Sequence, residues 1–153
     1  MKTYTEQEAL YRCAAYCSLA ERCTQDVRKK MDPWAIPSEA QQRVISQLQK
    51  EGFLNEERFC KAFVNDKTRF ARWGKNKIVY ALKAKGIGRE LIAKAVSEID
   101  DEQTEEMVEQ LLKKKLPSVK GKDNYEIRIK LMRFAAGRGF ELSVITRCLD
   151  RIL

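Results

Sequence analysis

Apolar residues recur along this 153-residue chain in a register that comes round three times. Val27, Ile78 and Leu131 stand at successive offsets of 51 and 53. The same offsets align Ile36 with Ile87 and Phe140, Val44 with Ala95 and Cys148, Ile45 with Val96 and Leu149, and Leu48 with Ile99 and Ile152. Ala35, Gly86 and Gly139 fall into the same register, each just ahead of a column. Five apolar columns at consistent spacing predict three tandem copies of one supersecondary unit, over residues 1–54, 55–99 and 100–153. Each copy is smaller than a domain that ordinarily folds alone, so neighbouring copies must share burial. A single nine-helix bundle is the competing arrangement.

The copies read as helical. Charged residues make up 34% of the chain, while there are only 7 Gly and 3 Pro, so long side chains that favour helix are abundant and breakers scarce. In the first copy Thr5 with Glu8 forms a capping box for a helix over residues 5–21, with Leu10, Cys13, Ala14, Cys17, Leu19 and Ala20 as its apolar stripe. A short helix over 24–31 ends at Asp32-Pro33, and Ser38 caps a third that Gly52 stops. In the second, Asn55 caps a helix reaching about residue 71 with Phe59, Ala62 and Phe63 on its period. Trp73-Gly74 turns into a helix over 75–85, Gly86 stops it, and a third helix begins at Gly88. In the third, Asp100 or Asp101 opens a helix ending in Lys113-Lys114-Lys115, and a second starts near Asn124. Gly137-Arg138-Gly139 breaks that one, and Leu142, Val144, Ile145, Leu149 and Ile152 line the last. The fold class predicted is all-α: three tandem three-helix repeats forming an elongated, curved array.

Charge is segregated. The formal net charge is +8, with pI near 9.3. Residues 1–54 are nearly balanced, whereas residues 58–94 hold eleven Lys and Arg against only Asp66 and Glu90. Residues 100–109 carry six acids and no base, which suits a helix start on a solvated face. So localised a basic excess points to a polyanionic partner. Arg69, Arg72, Lys75, Lys77, Lys83, Lys85 and Arg89 are the candidate contact residues. Such a cluster can neutralise phosphates, dock on acidic protein or remain a solvated face. Trp73 can stack on a base or plug the turn. A Lys-rich face suits phosphates better than base edges, so sequence-nonspecific contact is favoured over helix-turn-helix readout.

Other chemistries find little footing. There is no histidine, which removes His-based triads and most His metal sites. No nucleophile is paired with a base, and no Gly-rich phosphate loop follows a strand. The five cysteines are an odd number without an export signal and read as small buried thiols, not a disulfide framework or metal site. The expectation is a monomeric, cytoplasmic non-enzyme with no cofactor, no metal and no membrane span.

Glu57-Arg58-Phe59, Ala62-Phe63-Val64, Trp73-Gly74-Lys75 and Leu82-Lys83-Ala84-Lys85-Gly86-Ile87 together resemble the RecX family of bacterial recombinase regulators. The resemblance is dense over residues 53–96 and looser elsewhere, including Gly52-Phe53-Leu54 and Arg138-Gly139-Phe140. It implies an all-α repeat array that binds RecA and lies in the groove of the RecA–DNA filament. The family restrains strand exchange, ATP hydrolysis and coprotease activity in DNA repair and the SOS response, and some members bind DNA weakly. It has no catalytic residues to transfer. Two departures stand out: Asp32-Pro33-Trp34-Ala35-Ile36 replaces the Lys-Gly-Ile type of ending in the first copy, and the chain stops directly after the third. The alternative is a standalone, sequence-nonspecific DNA-binding protein built of helix-turn-helix-like repeats.

Overall fold

The computed structural model describes residues 3–153; Met1 and Lys2, the start of the first expected repeat, lie outside them. Among the described residues there are nine α-helices, two 3-10 turns and no strand. The helices are α1 (Glu6–Leu19), α2 (Thr24–Met31), α3 (Ser38–Lys50), α4 (Glu56–Arg69), α5 (Lys75–Ala84), α6 (Arg89–Ser97), α7 (Asp101–Lys115), α8 (Asn124–Gly137) and α9 (Leu142–Ile152). They group into two compact units. One runs up to Phe63 and includes Leu82–Ile92; the other comprises Val64–Ala81 and Ala93–Leu153.

The first unit begins with the capping box the sequence predicts. The Glu8 amide donates to Thr5 Oγ1 and the Thr5 amide to Glu8 Oε1, each at 3.1 Å. Ala9, Cys13 and Cys17 of α1 then meet Val27 and Met31 of α2 and Val44, Ile45 and Leu48 of α3 in one apolar core. Gln41 is the buried polar residue here, and its amide donates to the Ile36 carbonyl and to Asp32 Oδ1, both at 3.2 Å. The start of α4 and the end of α5 are tied to the same unit through polar bonds. The Thr24 amide donates to Glu56 Oε2 at 3.1 Å, and Gln25 donates to the Ala84 carbonyl at 3.2 Å. Arg58 donates to Glu21 and to the Gly52 carbonyl, closing the α3–α4 corner.

In the second unit α7, α8 and α9 enclose Val108, Leu112, Leu131, Ala135, Phe140, Ile145, Cys148 and Leu149. Asp100 caps α7, accepting from the Glu102 and Gln103 amides. The acidic run that follows is less solvated than its sequence suggests. Glu105 accepts from Arg147 at 2.7 Å and lies 3.6 Å from Arg151, which also reaches Glu109 at 3.7 Å. The hydrogen bond from Arg147, against a smaller burial penalty, holds the Glu105 carboxyl below its ordinary range.

The start of α5 in this unit depends on backbone. A helix leaves its first amides without intrahelical partners. Here the Gly74 amide donates to the Arg138 carbonyl at 2.8 Å and the Asn76 amide to the Gly139 carbonyl at 2.9 Å. The two segments meet glycine to glycine. A Cβ on Gly74 would run into the backbone of Gly139 and Phe140, and a Cβ on Gly139 into Lys77.

Every member of the five repeat columns is buried except Ile99 and Ile152, which are half-buried. The position just ahead of the second column is left-handed in each repeat: Ala35 at φ 56°, Gly86 at φ 78° and Gly139 at φ 93°. All five cysteines are free and buried. Burial pushes the Cys13 and Cys60 thiols up to about 11, so neither supplies thiolate at neutral pH.

Several local expectations need correction. Leu19, Ala20, Ala62 and Leu142 are exposed, Leu19 and Ala20 because α1 stops at Leu19, just past its last core residue, Cys17. Pro37 precedes α3 as its N-cap and leaves Ser38 as the first helical residue. Helix α4 ends at Arg69, short of residue 71.

Replacement of Gly86 by Ala is expected to cost only the left-handed penalty, about 1–2 kcal/mol, because nothing lies within 4 Å of the added carbon. Gly139→Ala and Gly74→Ala must also move backbone and should cost at least about 3 kcal/mol by urea denaturation. Equal losses at Gly86 and Gly139 would contradict the close approach. At Ala35 the opposite change, Ala35→Gly, should raise stability by about 1 kcal/mol, or Tm by about 2–4 °C, read by calorimetry.

Candidate polyanion-binding face

Residues 67–77 are strongly basic: Lys67, Arg69, Arg72, Lys75 and Lys77 lie within eleven residues, with no acid. They comprise the last turn of α4, the connection over 70–74 and the first turn of α5. The Trp73 amide returns to the Lys67 carbonyl at 2.9 Å, which folds the connection back over the helix end. Arg72 holds a left-handed conformation at φ 55°, uncommon for a residue other than glycine.

This turn sorts the cations. Lys67 and Lys77 place their ammonium groups 4.7 and 4.6 Å from the centre of the half-buried Trp73 ring. Lys75 is half-buried and reaches Glu141 at 3.9 Å. Arg69 and Arg72 are exposed, and so is Phe70 between them. Five of the eight candidate residues, Arg69, Arg72, Trp73, Lys75 and Lys77, therefore share the second unit.

The remaining three, Lys83, Lys85 and Arg89, belong to the first unit. Lys83 in the last turn of α5 and Arg89 at the start of α6 are exposed. Lys85 is engaged internally: Nζ lies 3.2 Å from Asp26 Oδ1 and 5.8 Å from the centre of the Phe59 ring. Burial opposes ionisation of Asp26, but the Cys23 amide and the Lys85 ammonium outweigh it and hold the carboxyl below its ordinary value. Lys85 thus anchors the turn after α5 more than it presents charge outward.

Two residues escape a reading of the sequence. Lys67 lies six positions before Trp73, and only the returning loop brings it to the ring. Phe70 continues the helical spacing of Phe59 and Phe63, which would carry it inward; the end of α4 at Arg69 turns it out instead. Among the described residues no group of His, Cys, Asp and Glu side chains is arranged to hold a metal ion. No helix among them is long and apolar enough to cross a membrane. Each unit offers exposed cations suited to phosphate or carboxylate: Arg69 and Arg72 in one, Lys83 and Arg89 in the other.

Comparison with known proteins supplies the context for these units. The family model for the second three-helix domain of RecX matches residues 55–96, and that for the third three-helix domain matches residues 101–149. Regulatory protein RecX of Clostridium beijerinckii is 26% identical over 100% of this chain and 74% of its own length. Regulatory protein RecX of Clostridium botulinum (strain Alaska E43) is 30% identical over 95% of this chain and 70% of its own. The crystal structure of RecX from Lactobacillus salivarius superposes with a TM-score of 0.87 at 17% identity, covering 95% of each chain, which establishes the shared fold. With two RecX domain models matching over residues 55–96 and 101–149 and a RecX relative 30% identical, this protein belongs to the RecX family.

Proposed function

We propose that this chain is a non-enzymatic regulator of the RecA recombinase that binds RecA and RecA–DNA filaments and restrains strand exchange, ATP hydrolysis and coprotease activity. Membership of the RecX family is the observation that carries this reading. The cation distribution supports it. A filament presents phosphates and protein surface together, and the exposed cations Arg69, Arg72, Lys83 and Arg89 suit both. The three repeats over residues 1–54, 55–99 and 100–153 are its proposed modules. Lys75, Lys77, Lys85 and Trp73 have the secondary task of holding the turns from which the exposed groups project. A non-enzymatic role fits a chain without histidine whose thiols are buried and protonated. The protein acts stoichiometrically as a monomer.

A second reading, direct sequence-nonspecific DNA binding without RecA, is favoured by the segment over residues 67–77, which has five bases and no acid. The two differ in salt dependence. Binding to naked duplex through phosphates weakens linearly in log salt, with a slope of about −0.9 per phosphate contacted.

The deciding measurement is RecA ATPase on single-stranded DNA with rising amounts of this protein. Turnover should fall with a stoichiometric break. Reversal of charge at Arg69, Arg72, Lys83 and Arg89 to Glu should raise the amount needed at least about tenfold, with the helical circular dichroism intact. The matched reversal at exposed Lys29 and Lys50 should leave it unchanged. No effect of the wild-type protein at any ratio removes the RecA reading. Tight binding to duplex DNA at physiological salt without RecA transfers the case to the second.

A further inference from the structure

We propose that Phe70, bracketed by Arg69 and Arg72, is a base-stacking residue that gives this protein a preference for single-stranded over duplex DNA. The phenyl ring is 79% exposed, although its spacing from Phe63 is that of a core position. An isolated exposed apolar residue needs no explanation; the surroundings of this one do. It stands in a segment of eleven residues with five bases and no acid. Arg69 and Arg72 on either side are exposed and make no ion pair among the described residues, so their charge is not used within the fold.

The register sharpens the point. At the offset of 51 that relates the first two repeats, Phe70 corresponds to Leu19, which is 81% exposed. The architecture turns this position outward in both repeats. Only in the middle repeat is the outward residue aromatic and flanked by guanidinium groups. Leu19 sits between Ser18 and Ala20, with Glu21 next in line. A change of charge and ring character together at one structural position is what recognition of a strand requires: cations along the phosphates, and a π face for an unpaired base.

Trp73 is the aromatic residue that sequence reasoning nominates for stacking, but its ring is half-buried and has two ammonium groups against it. A base approaching it would have to displace Lys67 or Lys77. Among the described residues no cation lies over Phe70. Duplex DNA keeps its bases stacked inside, so a phenyl ring gains there only the groove edge. On a single strand it gains a whole base face. Acidic protein could pair with the arginines but gives the ring no planar partner, and substitution separates the cases because leucine keeps the apolar bulk and loses the π face.

The test is fluorescence anisotropy with labelled oligo-dT and a duplex of equal length, at low salt and without RecA, on wild type, Phe70→Ala, Phe70→Leu and Phe70→Trp. Alanine and leucine should each weaken oligo-dT binding by about tenfold and leave duplex binding unchanged. Tryptophan should retain the affinity, and its added fluorescence should be quenched by oligo-dT. Because the side chain is exposed, the variants should keep wild-type circular dichroism and melting. Equal binding by wild type and alanine, full retention by leucine, equal losses on both DNAs, or failure of the wild type to bind oligo-dT would each overturn the proposal. It does not depend on the RecA reading: the same variants in the ATPase assay report on that separately.

Discussion

The backbone contact between Gly74 and Gly139 is the constraint on which the middle of the chain depends. Helix α5 begins at Lys75 with amides that need acceptors, and Gly74, the residue before it, has no side chain with which to cap them. The acceptors come from the Arg138 and Gly139 carbonyls, at the turn between α8 and α9. Such an exchange of backbone bonds requires the two segments to approach without side chains between them, and both positions are glycine. Gly139 meets a second demand at the same time, since φ 93° ends α8 in the left-handed region. One residue thereby stops one helix and starts another 65 positions earlier in the chain.

From that anchor follows the way the basic segment is displayed. With the start of α5 held, the loop over 70–74 has to return from α4 in few residues. Arg72 absorbs the reversal in a left-handed conformation, and Trp73 is drawn back over Lys67 and Lys77. Each ammonium group is attracted to the face of the ring and so stays near the fold. Arg69 and Arg72 make no ion pair among the described residues and remain in solvent with Phe70. A uniform stretch of positive charge in the sequence becomes two classes of residue: some that fasten the turn and some that are presented to whatever the protein meets.

The same division appears in the first unit. Lys83, Lys85 and Arg89 follow one another closely in sequence and are chemically alike, yet Lys85 is committed to Asp26 while Lys83 and Arg89 are exposed. That commitment joins the end of α5 to the N-terminal turn of α2, where the Cys23 amide already donates to Asp26. At about a third exposure for Lys85, the pair is partly screened and contributes position more than large stability. In both units the pairing pattern separates cations held within the fold from those exposed to solvent.

Much of this was legible in the chain itself. Helix periods, the Thr5–Glu8 capping box, the Asn55 and Asp100 caps and the glycine stops are local, set by residues within a turn or two of each other, so they could be read without a fold. The repeat columns were legible because burial of one face imposes a fixed spacing on every copy, and the density of motif residues over 53–96 was enough to identify the family. What lay outside reach were the contacts between residues far apart in sequence: Lys85 with Asp26, Lys75 with Glu141, Gly74 with Arg138, and the ammonium pair over Trp73. Phe70 shows the limit most plainly, since its period assigns it to the core and only the actual end of α4 puts it in water. By itself the sequence determined the helices, most of their buried faces and their kinship, because those rest on local periodicity. The tertiary structure alone decided which charges are spent within the fold and which face outward, because that depends on where distant backbone and carboxylates come to lie.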